Sequence, residues 1–129
     1  MSETVRMQFE LARVLDLRGL TIGDGRCVWA TTIGDVHRNP YGVVHGGVLF
    51  TLTDYAMGGA LTSALEGGQR CTTLEIKINY VAPATEGEVR AEAWVVSKGA
   101  PKETVDFIKA FVSPEVQSRL TAEDRKSVV

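Results

Sequence analysis

The sequence predicts an α+β fold, a run of antiparallel strands with one long central helix inserted early. Three stretches carry that reading. From Gly46 to Leu65 the chain reads GGVLFTLTDYAMGGALTSAL, apolar almost throughout, with Asp54 its only charged residue at neutral pH. From Thr72 to Val81, Leu74, Ile76, Ile78 and Tyr80 alternate with Glu75, Lys77 and Asn79, the period of a half-buried strand. From Glu88 to Lys98 the alternation returns with Val89, Ala91, Ala93 and Val95. Strands that follow one another without a helix between them pair antiparallel, which separates this plan from a βαβ one.

The remaining elements follow in chain order. Met7, Leu11, Val14 and Leu15 recur at helical spacing, so an amphipathic helix is predicted over Thr4 to Leu17. Gly19, Gly23 and Gly25 then punctuate the chain as breakers. Arg26 to Ile33 alternates Cys27, Trp29, Thr31 and Ile33 with Val28, Ala30 and Thr32, and suits a strand. His37 to Gly42 is a loop, broken by Pro40 and Gly42, and it leads into the apolar helix. Pro83 closes the strand after the helix. Glu103 to Val112 reads as a further strand, Ser113-Pro114-Glu115 as a turn, and Arg119 to Val129 as a last, unusually polar strand.

The chain has 129 residues, enough for one core, and no linker, repeat or low-complexity run divides it. It is read as a single domain over residues 1–129. A formal net charge of -2 with mixed signs offers no basic surface for nucleic acid. Cys27 and Cys71 lie far apart without CxxC spacing, which suits a reducing cytoplasm better than a disulfide scaffold. The first residues, MSETVRMQFELARVL, mix charges among apolar positions and lack the apolar core of a signal peptide. Gly47 to Leu65 is nearly long enough to span a bilayer. Its three threonines, its serine, its glycines and its central Asp54 favour a helix buried in a soluble domain instead. His37 with Cys27 or Cys71 has no zinc-ligand spacing, so no metal is expected. Neither GxSxG nor a phosphate-binding or dinucleotide fingerprint occurs.

The chemistry is sought at the two ends of one segment. A carboxylate in an apolar helix is costly unless it is paired or used, which singles out Asp54. His45-Gly46-Gly47 stands where that helix begins, and free N–H groups at a helix start attract developing negative charge. Asp54 lies eight residues beyond Gly46, which is about 12 Å along a helix rising ~1.5 Å per residue. A reacting carbonyl needs its oxyanion donor and its attacking atom both within about 3 Å. One copy of the chain cannot easily supply both groups to one substrate. Two copies with antiparallel helices across a twofold axis can, each dimer then carrying two equivalent composite sites.

The segment Asn39-Pro-Tyr-Gly42-Val-Val-His45-Gly46-Gly47, with Asp54 seven residues after the last glycine, resembles the signature of the hotdog-fold acyl-CoA thioesterases, in particular the phenylacetate-degradation type. Tyr80-Val-Ala-Pro83-Ala, and Gly87 followed by an alanine-rich strand to Lys98-Gly99, match as well, so the resemblance covers most of Asn39 to Val112. It implies a hotdog fold, with an antiparallel sheet wrapped around the helix, and a dimer with a continuous sheet, often doubled to a tetramer. The implied substrate is an acyl-CoA, with coenzyme A part of that substrate and no separate cofactor. Asp54 is then the carboxylate that activates water or attacks the thioester. Gly46 supplies the N–H that polarises the carbonyl. His45 and Asn39 lie beside that end, Asn39 to orient the water. Thr73 matches a hydroxyl position that helps place the water or the Asp.

Read from the residues alone, several of these positions carry two readings. Simple alternation puts Thr73 on the face opposite Leu74, and either Thr72 or a local bulge changes the assignment. His45 is a loop-fixing residue or a direct participant, and Asn39 a turn residue or a water-orienting one. Gly46 and Gly47 permit a tight helix entry, which is compatible with binding substrate there. Arg70, Lys98 and Lys102 are either contacts for coenzyme A phosphates or solvated surface charges. Two other activities share such a fold. A non-catalytic acyl-CoA-binding or regulatory module would not need Asp54. A hydratase or dehydratase would need a positioned Asp/His pair, for which only His45 and His37 are available.

Overall fold

The computed structural model describes residues 9–104 and 106. The chain divides into two compact units, one ending at Val95 and one beginning at Val96. The first unit contains helix α1 (Glu10–Val14), strands β1 (Arg18–Gly23) and β2 (Arg26–Thr32), a 3-10 turn (Asp35–His37), helix α2 (Gly46–Ala64) and strand β3 (Glu88–Trp94). The three strands form one antiparallel sheet in the order β1-β2-β3.

β2 is the central strand, and its sequence shows why. Cys27, Val28, Trp29, Ala30 and Thr31 are all buried. Cys27 and Trp29 face α2. Ala30, also buried, lies between Arg18 of β1 and Arg90 of β3 in the register. The guanidinium heads pair with carboxylates at the surface: Arg18 with Glu88 at 3.0 Å, Arg90 with Glu88 at 2.6 Å and Arg26 with Glu92 at 2.5 Å. Such exposed pairs stabilise little, roughly 0–1 kcal/mol each. The apolar layer beneath carries the fold.

That layer is the meeting of α2 with the sheet. α2 runs for 19 residues without proline and buries Val48, Leu52, Ala56 and Ala60, four apart along one stripe. Leu52, Ala56 and Ala60 join Cys27, Trp29, Leu17 and Ala12 in one core, against which Tyr55, Val89, Ala91 and Ala93 pack. Trp29 stacks on Tyr55 with ring centroids 4.9 Å apart, and Tyr55 meets Phe9 at 6.2 Å. The helix lies so close to β2 that a Cβ on Gly59 would stand 2.5 Å from Cys27 Sγ. Gly59→Ala is therefore expected to force α2 off the sheet and to cost about 1–3 kcal/mol, as overpacking of a filled core does. A urea titration should show the midpoint falling with little change in slope. An unchanged midpoint would mean that the helix has room to spare.

Several sequence expectations change. The described N-terminal helix is only Glu10–Val14, with Phe9 extended before it, and residues 4–8 of the expected Thr4–Leu17 helix lie outside the described residues. Arg18–Gly23, read from its glycines as punctuation, is a strand. It pairs with β2 through a register slip between Gly19 and Thr21, and a two-residue turn joins the strands. Asp24 and Gly25 both take positive φ there, 50° and 74°, the mirror-image turn that matches strand twist and favours Asp-Gly. β3 ends at Trp94 rather than Lys98.

Thr72–Val81 is not part of the sheet and has no strand partner among the described residues. It lies along α2, running against the helix direction. Cys71 meets Thr62 and Gly58, Thr73 meets Asp54, and Tyr80 meets Gly46. Leu74 is 94% exposed, so the segment is not the half-buried strand its alternation predicted. In the second unit, residues 102–104 and 106 are helical where a strand was expected from Glu103. The rest of that expected strand, the Ser113–Glu115 turn and the Arg119–Val129 strand lie outside the described residues. No helix among the described residues is long and apolar enough to cross a membrane.

Candidate active site

The loop before α2 is tied down by its own polar groups. Asn39 Oδ1 accepts the N–H of Tyr41 at 2.9 Å and of Val43 at 3.3 Å, while the Asn39 N–H donates to the Val43 carbonyl. Asn39 is therefore a loop-organising residue whose carbonyl oxygen is fully engaged within the loop. His37 is buried, 2% exposed, and both ring nitrogens are engaged. Nδ1 accepts the Gly34 N–H at 2.8 Å, so the ring proton sits on Nε2, which donates to the Leu15 carbonyl at 2.9 Å. That arrangement removes His37 from proton-transfer chemistry. The His37 carbonyl in turn receives the N–H of His45.

His45 is the N-cap of α2. Its Nδ1 accepts the Gly47 N–H at 2.9 Å and its carbonyl accepts the Val48 N–H. Two of the first three helix donors are thereby satisfied, and Gly46 N–H has no acceptor among the described residues. The loop and cap thus present one backbone donor at the positive end of a 19-residue helix. The Gly46 carbonyl accepts the Tyr80 hydroxyl at 2.9 Å.

Asp54 stands two turns further along. It is half-buried rather than fully buried, because its side chain borders open space instead of the core. Thr73 Oγ1 donates to Asp54 Oδ1 at 2.5 Å, leaving Oδ2 without a partner among the described residues. The ambiguity over Thr73 resolves through a break in alternation. Thr73 reaches α2, Leu74 points away, and Ile76 and Ile78 of the opposite parity are half-buried. The slip falls between Thr73 and Ile76.

Two cavities, of about 450 and 390 Å³, flank the Cys71–Thr73 segment and share Asp54 and Gly58 in their walls. Thr72 lines both as well. The larger is bounded by Met57, Leu61 and Trp94, the smaller by Phe9, Trp29 and Tyr55. Both are mostly apolar, with the carboxylate at their common edge, the character of a small-molecule site. Burial pushes the Cys27 thiol up, with the neighbouring Trp29 indole a smaller opposing influence, so Cys27 is an inert core thiol.

One chain brings Asp54, Thr72 and Thr73 together. It keeps Asn39, His45, Gly46 and Gly47 at the helix start, outside either cavity. Arg70 is exposed next to Cys71. Lys98 and Lys102 are exposed in the second unit, where Lys102 pairs with Asp106 at 2.7 Å. The residue that sequence reasoning left out of the site is Tyr80. In the sequence Tyr80 stands at the end of an alternating run and in the Tyr80–Pro83 stretch of the resemblance, and its parity opposite to Thr73 hides the fact that both reach α2.

A thioesterase superfamily model matches residues 41–101, which include the helix entry, α2 and β3. The 1,4-dihydroxy-2-naphthoyl-CoA hydrolase of Escherichia coli is 34% identical over 76 residues, 59% of this chain and 56% of that protein. The chain spans about half the length of the relatives it matches by sequence. Among solved structures, a conserved protein of Pseudomonas aeruginosa is 36% identical with a TM-score of 0.68, covering 74% of this chain and 78% of that one. A mutant of the phenylacetic acid degradation protein of Thermus thermophilus is 27% identical with a TM-score of 0.63, covering 71% and 77%. The matched residues hold the helix entry, α2 and β3, and a solved relative 36% identical is covered over 78% of its length; this chain belongs to the thioesterase superfamily and has its hotdog fold.

Proposed function

We propose that the chain is a hydrolase that cleaves an acyl-CoA thioester, aryl or medium-chain, to a free acid and coenzyme A. The observation that carries this reading is Asp54, a half-buried carboxylate steered by Thr73 at the edge of two apolar cavities. Oδ2 of Asp54 either takes a proton from the attacking water or itself attacks the carbonyl carbon. By the first route water adds to the carbonyl carbon, the carbon–sulfur bond breaks and the thiolate leaves without needing a strong acid, taking up the proton that Asp54 accepted; by the second the carbon–sulfur bond breaks as a mixed anhydride with Asp54 forms, and water then cleaves that anhydride to the free acid and the restored carboxylate. Negative charge on the carbonyl oxygen is met by the Gly46 N–H and the helix dipole. His45 holds the cap that leaves this donor free, and Asn39 shapes the loop before it. Gly47, Thr72, Arg70, Lys98 and Lys102 are the proposed substrate contacts, the three cations for the phosphates of coenzyme A.

The separation of Asp54 from Gly46 supports a homodimer with each site shared between chains, and the family resemblance extends this to a tetramer built from that dimer. Apolar surface is available for such contacts: Met57, Leu61 and Phe50 of α2 are 38–42% exposed, and Leu74 beside them is nearly bare. The aromatic wall of the smaller cavity, and the likeness to a hydrolase of an aryl-CoA thioester, favour an aryl acyl group. Incubation with a panel of aryl- and fatty-acyl-CoAs, following free thiol, tests the reading. Turnover of at least one member well above the uncatalysed rate is expected. A panel in which no member releases thiol would overturn it.

A further inference from the structure

Cys71 to Tyr80 touches α2 at both positions that matter to chemistry, Thr73 on the Asp54 carboxylate and Tyr80 on Gly46. The Thr73 contact steers a carboxylate. The Tyr80 contact is closer to the backbone. Its hydroxyl donates to the Gly46 carbonyl at 2.9 Å, and its ring lies where a side chain on residue 46 would go. A Cβ there would stand 3.1 Å from Tyr80 Cζ and 3.2 Å from its oxygen. The ring and the hydroxyl together hold the peptide that follows the Gly46 N–H. The first turn of a helix is the part most prone to fray, and an oxyanion donor acts only if it is preorganised.

We propose that Tyr80 is a positioning residue for the Gly46 donor: it pins the first peptide of α2 and crowds any side chain at position 46. The inference rests on the thioesterase reading of the site. Tyr80 touches no reacting atom and works through the backbone it holds.

The test uses Tyr80→Phe, which keeps the ring and loses only the hydroxyl, in the full chain. Expected are a kcat about tenfold lower, the effect of one ordinary hydrogen bond, a KM within about twofold of the parent, and a melting temperature nearly unchanged. In ¹H–¹⁵N spectra the Gly46 and Gly47 amides should move while the Asp54 amide stays. Parent activity with an unaltered kcat in Tyr80→Phe would overturn this inference alone. A fall in kcat that tracks a fall in melting temperature would also overturn it, since that is what a merely structural contact gives. A parent with no thioester turnover would overturn the functional reading along with it. Steric coupling provides a separate check. Gly46→Ala should destabilise the parent more than it destabilises Tyr80→Ala, where the ring is gone. Equal penalties in the two backgrounds would show that the ring does not exclude a side chain.

Discussion

Asp54→Asn should lower kcat by roughly two to four orders of magnitude, the range for losing a positioned general base. The protein should remain folded. The amide is nearly the same shape as the carboxylate, and its carbonyl oxygen can still accept from Thr73, which now donates to Oδ1 at 2.5 Å. Asp54 borders the cavities without filling them, so affinity for a non-hydrolysable acyl-CoA analogue should change little. That combination is the pattern of an interaction made only in the transition state. Steady-state thiol release and titration calorimetry on the same preparations read the two effects separately. If analogue binding disappeared along with turnover, Asp54 would be a structural carboxylate that holds Thr73 and the wall of the cavity in place.

Mixing Asp54→Asn protein with a Gly46→Pro variant should restore activity that neither parent has. Proline at position 46 removes the N–H proposed to meet the oxyanion, and proline is tolerated at the first position of a helix. In a heterodimer one composite site loses both functional groups and the other keeps both. Up to half of the heterodimer's sites are then intact, and random exchange of equal amounts makes half of the dimers heterodimers. Recovery should therefore approach about a quarter of the parental rate, far above the residual rate of either variant. Proline here also abuts the Tyr80 ring, so thermal melts of both variants must first show folded protein. Verified heterodimers without recovered turnover would mean that each chain carries a complete site, despite the two turns of helix between Gly46 and Asp54.

Much of the fold was legible because the apolar pattern dictates it. Nineteen helical residues without proline, small residues where the helix meets the sheet, and alternation over Arg26–Thr32 and Glu88–Trp94 each leave a periodic trace. β1 leaves a different trace. Its glycines break the pattern of the strand, but Asp24-Gly25 before Arg26 is itself a hairpin signal, and its tight turn brings Arg18–Gly23 back onto β2. Thr72–Val81 failed in the opposite way. Its alternation is real, yet alternation states only which side chains could share a face. Whether a backbone finds a strand partner depends on distant chain, and here the segment lies against α2.

The sequence by itself determined the residue types of the candidate site: one carboxylate in an apolar helix, and a glycine pair behind a histidine at its start. It also determined their separation, because helical rise is constant. Only the tertiary structure decided which neighbours those residues have. It put Thr73 rather than Thr72 on the carboxylate, through a slip in alternation that no period reveals. It made His45 the cap and Asn39 the organiser of the loop, since hydrogen-bond partners are set by how the chain folds back. It also brought Tyr80 to Gly46 across 34 residues of chain. Contacts of that kind arise from packing one element along another, and packing is specified by the whole core at once rather than by any local run of residues.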